Sequence, residues 1–184
     1  MFGQDTARAD HSGIYLGLSV GTWFPDNKNK VLGNPLILGF SADYKFSKNT
    51  LGINFDLIGF FINQTTEPVK IKFNDTVLVR NEYFGGQVSI DYGRELWGND
   101  RLMLDALCGL GYGEMNYYHA DRGVNVSKRS LIINPGLGIR YLVSKKIYLQ
   151  FKTQYYIANY KLKDNVSTDF SGNYLVTKLI IGGR

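Results

Sequence analysis

Residues 13–24 read Gly-Ile-Tyr-Leu-Gly-Leu-Ser-Val-Gly-Thr-Trp-Phe and alternate with a period of two. Ile14, Leu16, Leu18, Val20 and Phe24 fall on one face, and Tyr15, Gly17, Ser19, Gly21 and Trp23 on the other. Successive side chains of a strand point to opposite faces, so this run is a strand with one greasy side and one small or polar side. It is also long. A tilted strand needs about 9 to 11 residues to cross a bilayer, whereas strands of soluble proteins are usually about half that.

The pattern recurs seven times, over Leu36–Phe46, Leu51–Ile62, Tyr83–Arg94, Leu102–Tyr117, Leu131–Leu142, Ile147–Tyr160 and Tyr174–Gly183. In the second run Leu36, Leu38, Phe40, Ala42, Tyr44 and Phe46 oppose Gly39, Ser41, Asp43 and Lys45. The third opposes Leu51, Ile53, Phe55 and Leu57 to Gly52, Asn54 and Asp56, and the register holds through the seventh. The last run is apolar on both faces apart from Thr177 and Lys178. Short links (Ser47–Asn49, Leu96–Asp100, Val143–Lys145) alternate with long ones (Pro25–Asn34, Asn63–Glu82, Tyr118–Ser130, Lys161–Asn173). That places all long loops on one side, as in barrels with tight periplasmic turns and long outer loops. The sequence thus predicts an all-β chain: an eight-stranded antiparallel up-and-down transmembrane β-barrel over residues 13–184, preceded by a flexible leader of the mature chain, residues 1–12. Ten strands would follow if a hairpin in the second long link also inserted.

Aromatics cluster at both ends of the runs. Tyr44, Phe46, Tyr92, Trp97 and Tyr141 lie near the short turns, and Trp23, Phe24, Phe61, Phe84, Tyr112, Tyr117, Tyr155 and Tyr160 near the long loops. Two such sets predict girdles at the two membrane interfaces.

The composition agrees with one all-β domain of 184 residues: Gly (21), Tyr (13) and Phe (11) are plentiful and Pro (4) is scarce. A net charge of +5 is spread among acids without a basic run, which argues against nucleic acid. Cys108 is the single cysteine, so no internal disulfide forms, and no Cys/His spacing fits a metal or calls for a cofactor. Phe2-Gly3-Gln4-Asp5 follows Met1 without a basic start and apolar run, which reads as a processed chain expressed from an added Met.

From Gly13 onward the chain resembles the small outer-membrane barrels of the OmpA and OmpX type. The resemblance lies in the pattern of strands, links and aromatics, and it implies a bacterial outer-membrane location. Members of such families usually end the last strand on an aromatic; Ile181-Gly182-Gly183-Arg184 departs from that.

The inward polar face sets Asp43, Asp56, Asp91 and Asp105 against Lys45, Arg140, Lys152 and Lys178, with Asn54, Asn134, Gln87, Gln150 and Gln154 between them. Side chains fill the lumen of eight strands, so a paired plug is expected; a gated proton or ion path is the functional alternative. Gly109, Gly111 and Gly113 alternate within a strand and read as room for large neighbours rather than a phosphate loop. Catalysis has little to work with: His11 sits in the leader and His119 in an outer link, followed by Ala120 and Asp121. That arrangement departs from the His and Ser pattern of barrel deacylases and acyltransferases.

In the second long link, Val69-Lys70-Ile71-Lys72-Phe73, Asn74-Asp75 and Thr76-Val77-Leu78-Val79-Arg80 read as a hairpin. It either offers Val69, Ile71 and Phe73 to a partner strand or merely stiffens the loop. Lys28, Lys30, Lys70, Lys72, Arg80, Arg122, Lys128, Arg129, Lys161 and Lys163 suit contact with lipopolysaccharide or another anionic surface, or simple solvation. The partners expected are the lipid bilayer, lipopolysaccharide and an extracellular protein or surface met through the loops, in a non-enzymatic role such as adhesion, envelope integrity or recognition. Two other readings are a soluble lipocalin-like barrel holding a small apolar ligand and a narrow channel.

Overall fold

The computed structural model describes residues 11–61, 64–119 and 124–184. Its strands are β1 (Gly13–Pro25), β2 (Leu36–Phe46), β3 (Asn49–Ile58), β4 (Gln64–Phe73), β5 (Thr76–Glu82), β6 (Phe84–Gly98), β7 (Leu102–His119), β8 (Val124–Ile133), β9 (Gly136–Leu142), β10 (Ile147–Tyr156) and β11 (Tyr174–Gly183). Every pairing is antiparallel, and β1 closes the ring on β11 from Leu16 opposite Gly183 to Pro25 opposite Tyr174. Because β8 and β9 both pair with β7, they form one staggered stave. The ring therefore runs β1, β2, β3, β6, β7, β8 with β9, β10 and β11: eight staves. β4 and β5 pair with each other as a separate hairpin, which rules out ten.

Proline explains the break in the sixth stave. Pro135 has no N–H for the ladder, so the chain hands over there: Asn134 N donates to Gly109 O at 3.0 Å and Tyr155 N to Pro135 O at 2.8 Å. The third long link is not a loop over Tyr118–Ser130, since β7 and β8 stay paired as far as His119 opposite Val124. Residues such as Asn125, Ser127 and Arg129 make its outer face polar, so the apolar beat that marks the other strands stops while the ladder continues. In β6 the register shifts between Glu95 and Trp97, a bulge at Leu96 that leaves Leu96 and Trp97 both outward.

Outside, the barrel is greasy: Ile14, Leu16, Leu18, Val20 and Phe24 of β1 are 44–66% exposed, and every other stave shows the same belt. Ten residues at ~3.3 Å rise and about 40° tilt span ~25 Å, the height of a membrane barrel's apolar band. Inside are Asp43, Lys45, Asn54, Asp56, Asp91, Arg140 and Lys152, all buried. A lipocalin-like barrel needs the opposite arrangement, and this inversion overturns that reading. The ambiguous last strand resolves in the same sense, with Leu175, Leu179 and Ile181 out and Tyr174, Val176, Lys178 and Ile180 in.

At the turn end, His11 and Ser12 pack on the barrel although the sequence assigns them to the leader. His11 Nε2 lies 3.1 Å from Asn99 O, and Ser47 N donates to Ser12 Oγ at 3.1 Å. The rest of the leader lies outside the described residues.

Candidate functional site

Three layers fill the barrel from turn end to loop end. In the lowest, Arg140 of β9 donates to Asp43 of β2 at 2.6 Å and to Gln150 at 3.4 Å. Its guanidinium lies 4.4 Å from the ring centre of Tyr15 and 5.4 Å from that of Tyr148, a cation held between two aromatic faces. Lys45 pairs with Glu95 at 2.9 Å, and Asp105 lies directly across the β6–β7 ladder from Glu95. Glu95 escapes a reading that ends the strand at Arg94; the alternation Asp91, Gly93, Glu95 is the signal that finds it.

The middle layer is a continuous network. Lys178 donates to both oxygens of Asp56, at 2.8 and 3.1 Å, and Gln87 donates to the same carboxylate at 2.9 Å. Asp91 accepts from Ser89, Asn134, Lys152 and Gln154 at 3.1–3.2 Å, while Lys152 also donates to Asn54 at 3.1 Å. All thirteen inward polar residues singled out from the sequence are buried: Asp43, Lys45, Asn54, Asp56, Gln87, Asp91, Asp105, Asn134, Arg140, Gln150, Lys152, Gln154 and Lys178. Gly109 makes room here, since a Cβ on it would stand 2.2 Å from Asp91 Oδ1 and 2.4 Å from Asn134 Oδ1.

Above lies an aromatic cap. Trp23 stacks on Tyr174 at 4.6 Å and donates from Nε1 to Gly33 O at 3.0 Å; Tyr83 donates to Leu32 O at 2.6 Å. Tyr117 stacks on Phe170 at 5.0 Å, and Tyr160 on Tyr174 at 6.1 Å. This corrects the girdle assignment for Trp23, Tyr117 and Tyr160: each is at most 2% exposed. Strand parity already places Trp23 with Tyr15 and Ser19, and nearness to a loop in sequence does not override it. The other girdle candidates, Phe24, Tyr44, Phe46, Phe61, Phe84, Tyr92, Trp97, Tyr112, Tyr141 and Tyr155, are exposed on the outside.

The hairpin face is corrected too. Val69 and Ile71 are fully buried in the cap, whereas Phe73 stays exposed at the tip. An apolar face above a barrel mouth folds onto the mouth rather than into water. The β4 edge is also occupied: Lys70 N donates to Thr168 Oγ1, Thr168 N to Lys70 O and Lys72 N to Ser167 Oγ, each at 2.8 Å. Lys28 pairs with Asp169 at 2.9 Å. That ammonium, with the Ser171 N–H, holds the Asp169 carboxyl well below the usual carboxylate range; the N–H of Ser167 lowers Asp164. The side chains of Arg80 and His119, and all of Arg122, lie outside the described residues.

A greasy cylinder around an ion-paired interior, closed at one end by long links and at the other by tight turns, invites comparison with solved structures. Neisserial surface protein A superposes with a TM-score of 0.62 at 12% identity, covering 94% of this chain and 96% of that one. The chain has the fold of the small outer-membrane β-barrels. Among other proteins with this outer-membrane-barrel fold, the N-terminal barrel domain of Pseudomonas aeruginosa OprF matches at 0.54 and 12% identity over 92% and 96%. Ail, the attachment invasion locus protein of Yersinia pestis, in complex with the heparin analogue sucrose octasulfate, matches at 0.54 and 14% over 94% and 96%. No protein-family model matches the sequence, and no curated protein does.

Proposed function

We propose that the chain is a bacterial outer-membrane barrel that acts through its loop end, as a non-enzymatic surface protein for adhesion or recognition. The observation that carries this is the inversion of a soluble barrel: a lipid-height apolar belt outside, and inside a lumen crossed by four ion pairs, Asp43–Arg140, Glu95–Lys45, Asp91–Lys152 and Asp56–Lys178. Such a lumen serves as a plug rather than a channel. Trp97, Tyr44, Tyr92 and Tyr141 anchor the belt at the turn side, and Phe24, Tyr112 and Tyr155 at the loop side.

Chemistry at the loop end is cationic and exposed. Lys30, Lys70, Lys72 and Lys163 are in water and have no ion pair among the described residues. Lys70 and Lys72 alternate on the outer face of the hairpin, across from Val79 and Val77. Lipopolysaccharide and sulfated or otherwise anionic surface glycans are the partners that such a face attracts, and the Ail structure holds a heparin analogue. Retention of the detergent-folded protein on immobilised heparin tests the reading. Lys70→Glu with Lys72→Glu should elute at clearly lower salt than the parent; parent and variant eluting together would overturn the role of this face.

A further inference from the structure

A cleft of about 590 Å³ lies at the turn end, between the β6–β7 and β9–β10 turns, far from the loop cap. His11, Asp100, Arg101, Leu142, Lys145 and Arg184 line it, with Val143 at its edge. His11 is 5% exposed, and its Nε2 faces the Asn99 carbonyl. A carbonyl only accepts, so Nε2 carries the proton. That leaves Nδ1 buried without a hydrogen-bond partner. Arg101 and Lys145 are exposed and have no ion pair among the described residues. Arg184 is held in the wall by a bond to Ser12 O at 2.9 Å and by the Tyr15 ring at 5.6 Å.

Among the described residues that line the cleft, three cationic side chains against one side-chain carboxylate favour an anion. The surroundings narrow the class. Tyr141, Val143 and Ile147 point outward at the turn-side end of the apolar belt, and Val143 also lines the cleft, so the rim of the cleft reaches the level where lipid meets water. We propose that it binds the phosphate of an anionic phospholipid headgroup. Arg101 and Lys145 pair with the phosphate oxygens, and Val143 receives the glycerol and first methylenes. This rests on the membrane reading above.

The test is an NMR titration of the detergent-folded protein, following the His11 ring and the Arg101 amide. Two probes are used: inorganic phosphate, and short-chain phosphatidylglycerol below its micelle threshold. Saturable shifts are expected with both, the lipid binding at least tenfold more tightly, and Arg101→Ala with Lys145→Ala should weaken both by about tenfold or more. Both residues are exposed turn positions, so the double variant keeps the barrel. Phosphate binding as tightly as the lipid would overturn the headgroup assignment. No saturable shift with either probe, or binding unchanged in the double variant, would overturn the site. Failure of the membrane reading shows separately, as loss of heat-dependent gel mobility in the parent protein.

Discussion

Arg140 reaches across the lumen to Asp43: β9 and β2 stand on opposite sides of the eight-stave ring, and the two charges meet at 2.6 Å. A pair that spans the diameter ties two halves of the barrel together and blocks the bore at that level. Neither charge has water to fall back on. Removing one partner should cost about 3–5 kcal/mol, because the other is left buried and unpaired, whereas replacing both by apolar groups of similar volume should cost much less. Urea unfolding of the detergent- or vesicle-folded protein should therefore show Asp43→Asn and Arg140→Met each strongly destabilised. The double variant Asp43→Leu/Arg140→Met should be less destabilised than the sum, and simple additivity would contradict the pairing.

The two tryptophans report opposite environments. Trp97 is 55% exposed on the outer belt and Trp23 is 1% exposed in the cap. In vesicles of brominated lipid, the emission of Trp23→Phe, which retains Trp97, should be strongly quenched. That of Trp97→Phe should barely change. Equal quenching would contradict the inside-outside assignment.

The loop strap should be acid-sensitive. Asp164 and Asp169 are held below the ordinary carboxylate range of about 3.9, so they bind protons more weakly folded than unfolded. Their contribution is complete above that value and is lost as pH falls through the lower folded values. Amide exchange at Thr168 and Ser171, once corrected for intrinsic rates, should show constant protection from neutral pH to about 4 and falling protection below. Asp169→Asn should weaken that protection already at neutral pH. Protection in the variant equal to the parent's would show that the Lys28 pair does not hold the strap.

Gly109→Ala puts a methyl against Asp91 Oδ1 and Asn134 Oδ1, in a pair of side chains already joined by the Asn134 Nδ2 to Asp91 Oδ1 bond at 3.1 Å. Overpacking of this kind costs about 1–3 kcal/mol. The loss should appear in the same unfolding assay, and an unchanged midpoint would mean that the network shifts without penalty.

Period-two alternation made the staves and their two faces legible, because a membrane barrel writes lipid and lumen onto alternate residues of every strand. Asp43, Asp56, Asp91 and Arg140 could be placed inside from parity alone, but their partners could not. Pairing across the bore depends on ring position, and nothing local in the sequence encodes that β2 faces β9. The cap was hidden for a related reason. Val69, Ile71, Trp23 and Phe170 come from separate links and meet only when the barrel mouth assembles them. The polar upper parts of β7 and β8 carry no apolar beat, so hydropathy reads them as loop although the ladder persists.

The central claim is a closed barrel with lipid outside and ion pairs inside, and gel mobility tests it most directly. Folded in detergent and run in SDS without boiling, the protein should migrate as a compact species and shift on heating, because every strand edge is sealed in the ring. Identical mobility before and after boiling, with folded protein recovered in buffer without detergent, would contradict it.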